Sequence, residues 1–245
     1  MRKMRSASVI TALAVLFTST AALAGGMTTF DNGLEGWVGT QGMGGSSYID
    51  TSDGNPAPCY RTDFSSFAIF GITYYNNTNP AFIGDYTATP QVDFTIDTNA
   101  RVLNFLGMPT PRDLIVELRD YDNPPAGYNY VSVWAYIGYL DEADTGWLNW
   151  TASIEDTSAL ELPTGWYGTG AEDPHTYEPT LPPDRTFTSV LAGVDEIAFT
   201  TFVPGWFYAD SYYDVSVDNI GVFQVPEPGT AGLLLIGLAG LLRRR

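Results

Sequence analysis

Gln91-Val92-Asp93-Phe94-Thr95-Ile96-Asp97 alternates polar and apolar residues without a break, which is the period of a strand with one buried face and not of a helix. The same signature recurs outward from it. Residues 113–120 put Leu114, Val116 and Leu118 on one side, and further runs of strand length lie at 67–75, 101–106, 128–139, 147–154, 197–203 and 212–223. Clusters such as Asp53-Gly54-Asn55-Pro56 and Asp122-Asn123-Pro124-Pro125 punctuate them as turns. The Pro- and Gly-rich stretch 163–183 reads as a long loop. Short strands at this spacing, with no helical pattern between them, predict an all-β chain, an antiparallel β-sandwich of jelly-roll type.

The chain opens with Met1-Arg2-Lys3-Met4-Arg5, continues through an apolar stretch at 7–17, and reaches Ala22-Leu23-Ala24. A basic head, a short hydrophobic run and an Ala-x-Ala exit predict a signal peptide over 1–24, cut after Ala24. The run is shorter than the roughly 20 residues of a spanning helix. At the other end stand Val225-Pro226-Glu227-Pro228, then an uncharged apolar stretch at 231–242, then Arg243, Arg244 and Arg245. As a helix that stretch reaches about 18 Å against about 30 Å of bilayer hydrocarbon, and the arginines favour the cytoplasmic side.

The triplet, the short apolar helix and the arginine cluster together resemble the PEP-CTERM sorting signal, which gives a tail domain at 226–245. The resemblance implies a Gram-negative bacterium that makes exopolysaccharide. It also implies passage through the general secretion machinery, transient inner-membrane anchoring, and cutting near Pro226, Glu227 and Pro228 by an exosortase. The cut protein is then expected at the cell surface or in the extracellular (biofilm) matrix.

Between these ends, residues 25–225 are long enough for one well-buried domain, and no linker or internal repeat divides them. They carry five arginines, no lysine and 27 acidic residues. That balance excludes nucleic acid and anionic lipid as partners, because holding phosphates takes clustered Lys and Arg. Cys59 is the only cysteine, so no disulfide closes within the chain and burial is its expected state. His175 is the only histidine, which leaves His-based metal sites and Ser-His-Asp relays without material. Asn76-Asn77-Thr78 and Asn149-Trp150-Thr151 fit the glycosylation acceptor pattern, incidental in a bacterial chain.

Three parts of the body, in order, carry a second resemblance. They are Phe30-Asp31-Asn32-Gly33-Leu34-Glu35-Gly36-Trp37 with Asp53-Gly54-Asn55-Pro56 and Tyr60; then Pro80-Ala81-Phe82-Ile83-Gly84-Asp85-Tyr86 leading into 92–96; and finally Val194-Asp195-Glu196-Ile197 with Val217-Asp218-Asn219-Ile220-Gly221-Val222. Together they resemble the laminin B domain (laminin IV type A), a jelly-roll sandwich, over 25–225. That resemblance implies a matrix or glycan-binding context and no catalysis.

In Tyr128-Asn129-Tyr130-Val131-Ser132-Val133-Trp134-Ala135-Tyr136-Ile137, a strand would set Tyr128, Tyr130, Trp134 and Tyr136 on one face and aliphatic residues on the other. Flat rings with polar tips suit stacking on sugars, so these four are the glycan-binding candidates; a covering layer that makes them core is the competing reading. In sandwiches of this type the first and last strands often meet, which would join Asp31 to Asp218 as hard oxygen ligands for structural calcium, the one cofactor considered. The expected function is a non-enzymatic module for extracellular polysaccharide. The alternatives are a structural or adhesive matrix protein without specific glycan binding, and a polysaccharide-active enzyme, whose paired carboxylates sequence order does not assign.

Overall fold

A computed structural model describes residues 25–41, 45–64, 71–206 and 210–225. The expected signal peptide, with Ala24, and the tail from Pro226 through Arg243, Arg244 and Arg245 lie outside the described residues. The alternation at 91–97 belongs to one strand, Gln91–Phe105 (β6), which merges the runs expected at 91–97 and 101–106. It is the spine of a seven-stranded antiparallel sheet with Gly26–Thr28 (β1), Gly45–Asp50 (β3), Cys59–Phe64 (β4), Met108–Pro109 (β7), Leu148–Ile154 (β10) and Tyr212–Val225 (β15). The order is β10-β6-β15-β4-β3, with β1 paired to β15 and β7 to β6.

A second sheet of six antiparallel strands lies against the first. It comprises Trp37–Gly39 (β2), Thr73–Asn76 (β5), Arg112–Asp120 (β8), Val131–Leu140 (β9), Trp166–Thr169 (β11) and Glu196–Thr200 (β14), in the order β11-β9-β8-β14-β5-β2. Ala171–Glu172 (β12) pairs with Pro179–Thr180 (β13), and Phe187–Leu191 (α1) is the α-helix among the described residues. The all-β jelly-roll expectation holds. No helix of the described residues is long and apolar enough to cross a membrane.

Between the sheets the inward residues of alternating strands form one core. Val92, Phe94 and Ile96 of β6 meet Leu114, Val116 and Leu118 of β8 and Val131 and Val133 of β9, as two one-sided sheets must do to bury their apolar faces. Rings fill the widest parts. Trp37 packs edge-on to Phe82 at 5.1 Å, and Phe94 touches Trp166 at 6.1 Å. Cys59 is fully buried, as expected, and burial pushes its thiol up to about 11, so it is no nucleophile.

Two expectations needed correction. The stretch 163–183 is not a bare loop, because β11 lies inside it and pairs with β9 from Trp166↔Ala135 to Thr169↔Ser132. Nor does the strand at 128–137 begin at Tyr128: the amide of Tyr128 closes a turn on the carbonyl of Pro125 at 3.0 Å, and pairing starts at Val131. The acceptor asparagines of both glycosylation patterns are occupied. Asn76 is buried and donates to the carbonyl of Glu35, and Asn149 donates to Asp97 at 2.6 Å.

Candidate functional site

The outer face of the six-stranded sheet is the unusual surface. Strand alternation with Leu114, Val116 and Leu118 inward turns Ile115, Glu117 and Arg119 outward, and it turns Ser132, Trp134 and Tyr136 of β9 the same way. A sheet with one packed face ordinarily presents solvated residues on the other. Here Ile115, Glu117, Ser132, Trp134 and Glu196 are all buried. The segment 202–206 covers part of this face and seats Val203 on Ile115 and Trp134.

What stays open is a trough in two parts. The larger, about 580 Å³, runs from Val38 and Thr40 past Tyr75, Glu117 and Arg119 to Tyr130 and Thr169. The smaller, about 190 Å³, is walled by Trp134, Tyr136, Tyr167, Glu178 and Trp206. Pro204 lines both, so the segment 202–206 stands where they adjoin.

Arg119 holds the floor of the larger part. Its Nε and Nη2 donate to Oε2 of Glu117 at 2.9 and 2.6 Å, and its Nη1 donates to Oε1 of Glu196 at 2.5 Å. The other carboxylate oxygens accept from Ser132 Oγ at 2.6 Å and Asn77 Nδ2 at 3.1 Å. Burial works against the charge on Arg119, but the two glutamates outweigh it and hold the guanidinium above its ordinary range. The ring of Tyr130 lies 4.9 Å from the guanidinium. Burial, with the charge of Glu117, pushes that phenol up to about 12.

The smaller part is aromatic. Trp134 stacks on Tyr167 at 4.5 Å and 21°, and Tyr136 stands at 81° to both. Trp134 is only 5% exposed, against 44% for Tyr136, 43% for Tyr167 and 66% for Trp206. Two buried donors on the trough walls have no partner, the indole Nε1 of Trp134 and the hydroxyl of Thr169; buried polar groups are seldom left so.

Of the four rings expected to share a strand face, the structure puts Trp134 and Tyr136 together at the aromatic end, Tyr130 over Arg119 in the other part, and Tyr128 in the preceding turn. The competing reading of a covering layer applies to Trp134, which Tyr167 and Val203 cover. Tyr167 and Trp206 escaped sequence reasoning. Tyr167 sits in a stretch read as loop, and Trp206 follows Pro204-Gly205, a turn signal that carries no periodicity.

The calcium expectation meets a different arrangement. Asp218 is fully buried, and its two oxygens accept the backbone N–H groups of Asn55 and Asn219 at 2.7 Å each. N–H donors aimed at a carboxylate take the places a cation would need. Asp31 is exposed and accepts from Thr29 at 2.8 Å. Beside them, buried Asp97 accepts the side-chain amides of Asn55, Asn149 and Asn219. Burial, with the charges of Asp97 and Asp31, raises Asp218 to about 6. Among the described residues no group of three His, Cys, Asp or Glu is placed to hold a metal ion. In the 141–144 turn Asp141 accepts the N–H of Ala143 at 2.9 Å, and Glu142 accepts that of Leu103 at 2.8 Å.

Residues 224–245 match the PEP-CTERM protein-sorting motif, which marks the chain for export and membrane-associated sorting. No curated protein matches the chain. Among solved structures, it is similar to the CBM22-1–GH10 modules of the Clostridium thermocellum endo-1,4-β-D-xylanase 10B complexed with xylohexaose, at 12% identity and a TM-score of 0.46, over 83% of this chain and 29% of that one. A xylan-binding domain of CBM family 22 matches at 10% identity and a TM-score of 0.44, over 83% and 97% of the two chains. The family 11 carbohydrate-binding module of the C. thermocellum cellulosomal cellulase Lic26A-Cel5E matches at 13% identity and a TM-score of 0.45, over 84% and 98%. None of the three is a laminin B domain, and the chain spans less than a third of the xylanase chain.

Proposed function

We propose that the chain is a non-enzymatic binding protein for extracellular polysaccharide. In this reading it is delivered by the secretion machinery, held briefly in the inner membrane and cut by an exosortase near Pro226, Glu227 and Pro228; the folded unit is 25–225 between a signal peptide at 1–24 and a sorting tail at 226–245. It works at the cell surface or in the matrix.

The observation that carries the binding role is the trough. It crosses a six-stranded face, roughly 24 Å over five strand spacings, and so accepts several linked sugars. At one end Tyr136, Tyr167 and Trp206 offer ring faces. Glu117 and Glu196 are both committed to Arg119, which argues for recognition of hydroxyls over acid-base chemistry.

Affinity electrophoresis of the full-length chain against bacterial and plant polysaccharides tests the role. Retardation on at least one polymer, reduced in Tyr167→Ala and Trp206→Ala, is expected. Wild-type mobility on every polymer would remove the reading and favour an adhesive matrix protein without specific glycan binding; release of reducing sugar would favour an enzyme.

A further inference from the structure

The geometry points to the aromatic end of the trough as a seat for an ammonium group, and so to a polymer of amino sugars with free, protonated amines as the ligand. This rests on the polysaccharide reading above and gives it a chemical class.

Tyr136 and Tyr167, both partly exposed, meet at 81° with centroids 5.9 Å apart and border the space with ring planes at nearly a right angle, and ring faces carry a negative quadrupole. Trp206 adds a third exposed ring and buried Trp134 backs the corner, within a space of about 190 Å³. Such a volume suits one substituted sugar ring or one quaternary ammonium group. Sugar stacking alone needs one or two parallel rings; crossed rings around a small space are the arrangement that holds a cation.

A carboxylate completes the seat. Glu178 lines the same space, is exposed, and enters no ion pair among the described residues. The arginines among the described residues do not compete for it. Arg61 is paired to Asp50 and Asp214, Arg101 to Asp53 and Asp214, Arg119 to Glu117 and Glu196, and Arg185 to Asp120. Arg112 is buried and donates to Thr110, Pro111 and Ser211. The strong negative balance of the body draws a polycation toward the trough and repels a uronate or sulfated polymer.

The test is calorimetric titration of the full-length chain, in mildly acidic buffer, with a glucosamine hexamer, its fully N-acetylated counterpart and tetramethylammonium. The hexamer with free amines is expected to bind at least about tenfold tighter than the acetylated one. Glu178→Gln should remove most of that preference. Glu155→Gln, which removes the same charge from an exposed loop after β10 on the other sheet, should keep it. Equal affinity for the two hexamers, or equal loss of preference in both variants, would overturn the ammonium seat while leaving polysaccharide binding intact. Binding of tetramethylammonium with no hexamer bound would keep the seat and remove the polysaccharide. Silence from all three ligands would remove the seat.

Discussion

Trp134 shows how far a residue's role depends on what covers it. In the sequence it is one ring among four; in the fold it lies under Tyr167 and Val203 with its N–H unpaired. Removing so large a buried side chain opens a cavity and costs about 3–5 kcal/mol, so Trp134→Ala would confuse binding with folding. The exposed rings of Tyr167 and Trp206 are the cleaner probes.

Arg119 is the other residue on which the floor depends. Glu117 and Glu196 are buried carboxylates that share one guanidinium, and breaking a buried pair by removing one partner typically costs about 3–5 kcal/mol. Arg119→Ala is therefore expected to lower the melting temperature by roughly 6–20 °C at neutral pH. A melting temperature within about 2 °C of wild type by calorimetry would show that the two glutamates do not need their cation.

Among the elements, β11 decides the site, because it brings Tyr167 onto Trp134. Its placement depends on Gly168, where an added Cβ would lie 2.5 Å from the side chain and 2.9 Å from the backbone of Leu181. Gly168→Ala is expected to push the edge strand aside and weaken glycan binding about tenfold or more, while the melting temperature falls only a few degrees, since only an edge strand moves. Unchanged affinity in an electrophoretic or calorimetric assay would show that the site does not depend on the placement of this strand.

The central strands were legible for the reason β11 was not. Residues 91–97 and 113–120 alternate long enough for a period of two to show, whereas Trp166 to Thr169 spans two repeats among glycines and prolines. Irregularities inside long strands were also hidden. Opposite Ile96 the strand β15 carries an extra residue, with Asn219 at a φ of 49°, so the inward set passes from Val215 and Val217 to Ile220 and Val222. The rings at 134 and 136 announced an aromatic face. The covering segment 202–206 and the Glu196 that joins Glu117 on Arg119 come from distant parts of the chain, and no local pattern reports them.

For the molecule as a whole, the charge balance sets a pH profile. Asp218 has a folded pKa of about 6 against an ordinary 3.8. Its contribution is therefore complete below about pH 4 and is lost as pH rises through 6, by about 3 kcal/mol. Asp50 is held at about 2 by hydrogen bonds from Ser52 and by Arg61, so its contribution is present above about pH 4 and is lost as pH falls through about 2. Repulsion among the unpaired acids adds to the first effect at neutrality. Thermal unfolding followed across pH 2–8 is expected to peak at about pH 4–5; a maximum at pH 7 or above would contradict the position of Asp218.

The strand β15 is interior to its sheet, flanked by β6 and β4 and joined also by β1. It stays paired with β6 as far as Val225↔Gln91, already inside the sorting motif that begins at residue 224. During the proposed membrane-held stage, before the tail is cut, a pull on the tail at Val225 would run along the axis of that strand and across its hydrogen bonds. Bonds loaded in shear must fail together, whereas bonds peeled from an edge fail singly. While the tail is attached, the domain therefore hangs from the centre of one sheet, with the trough on the outer face of the other.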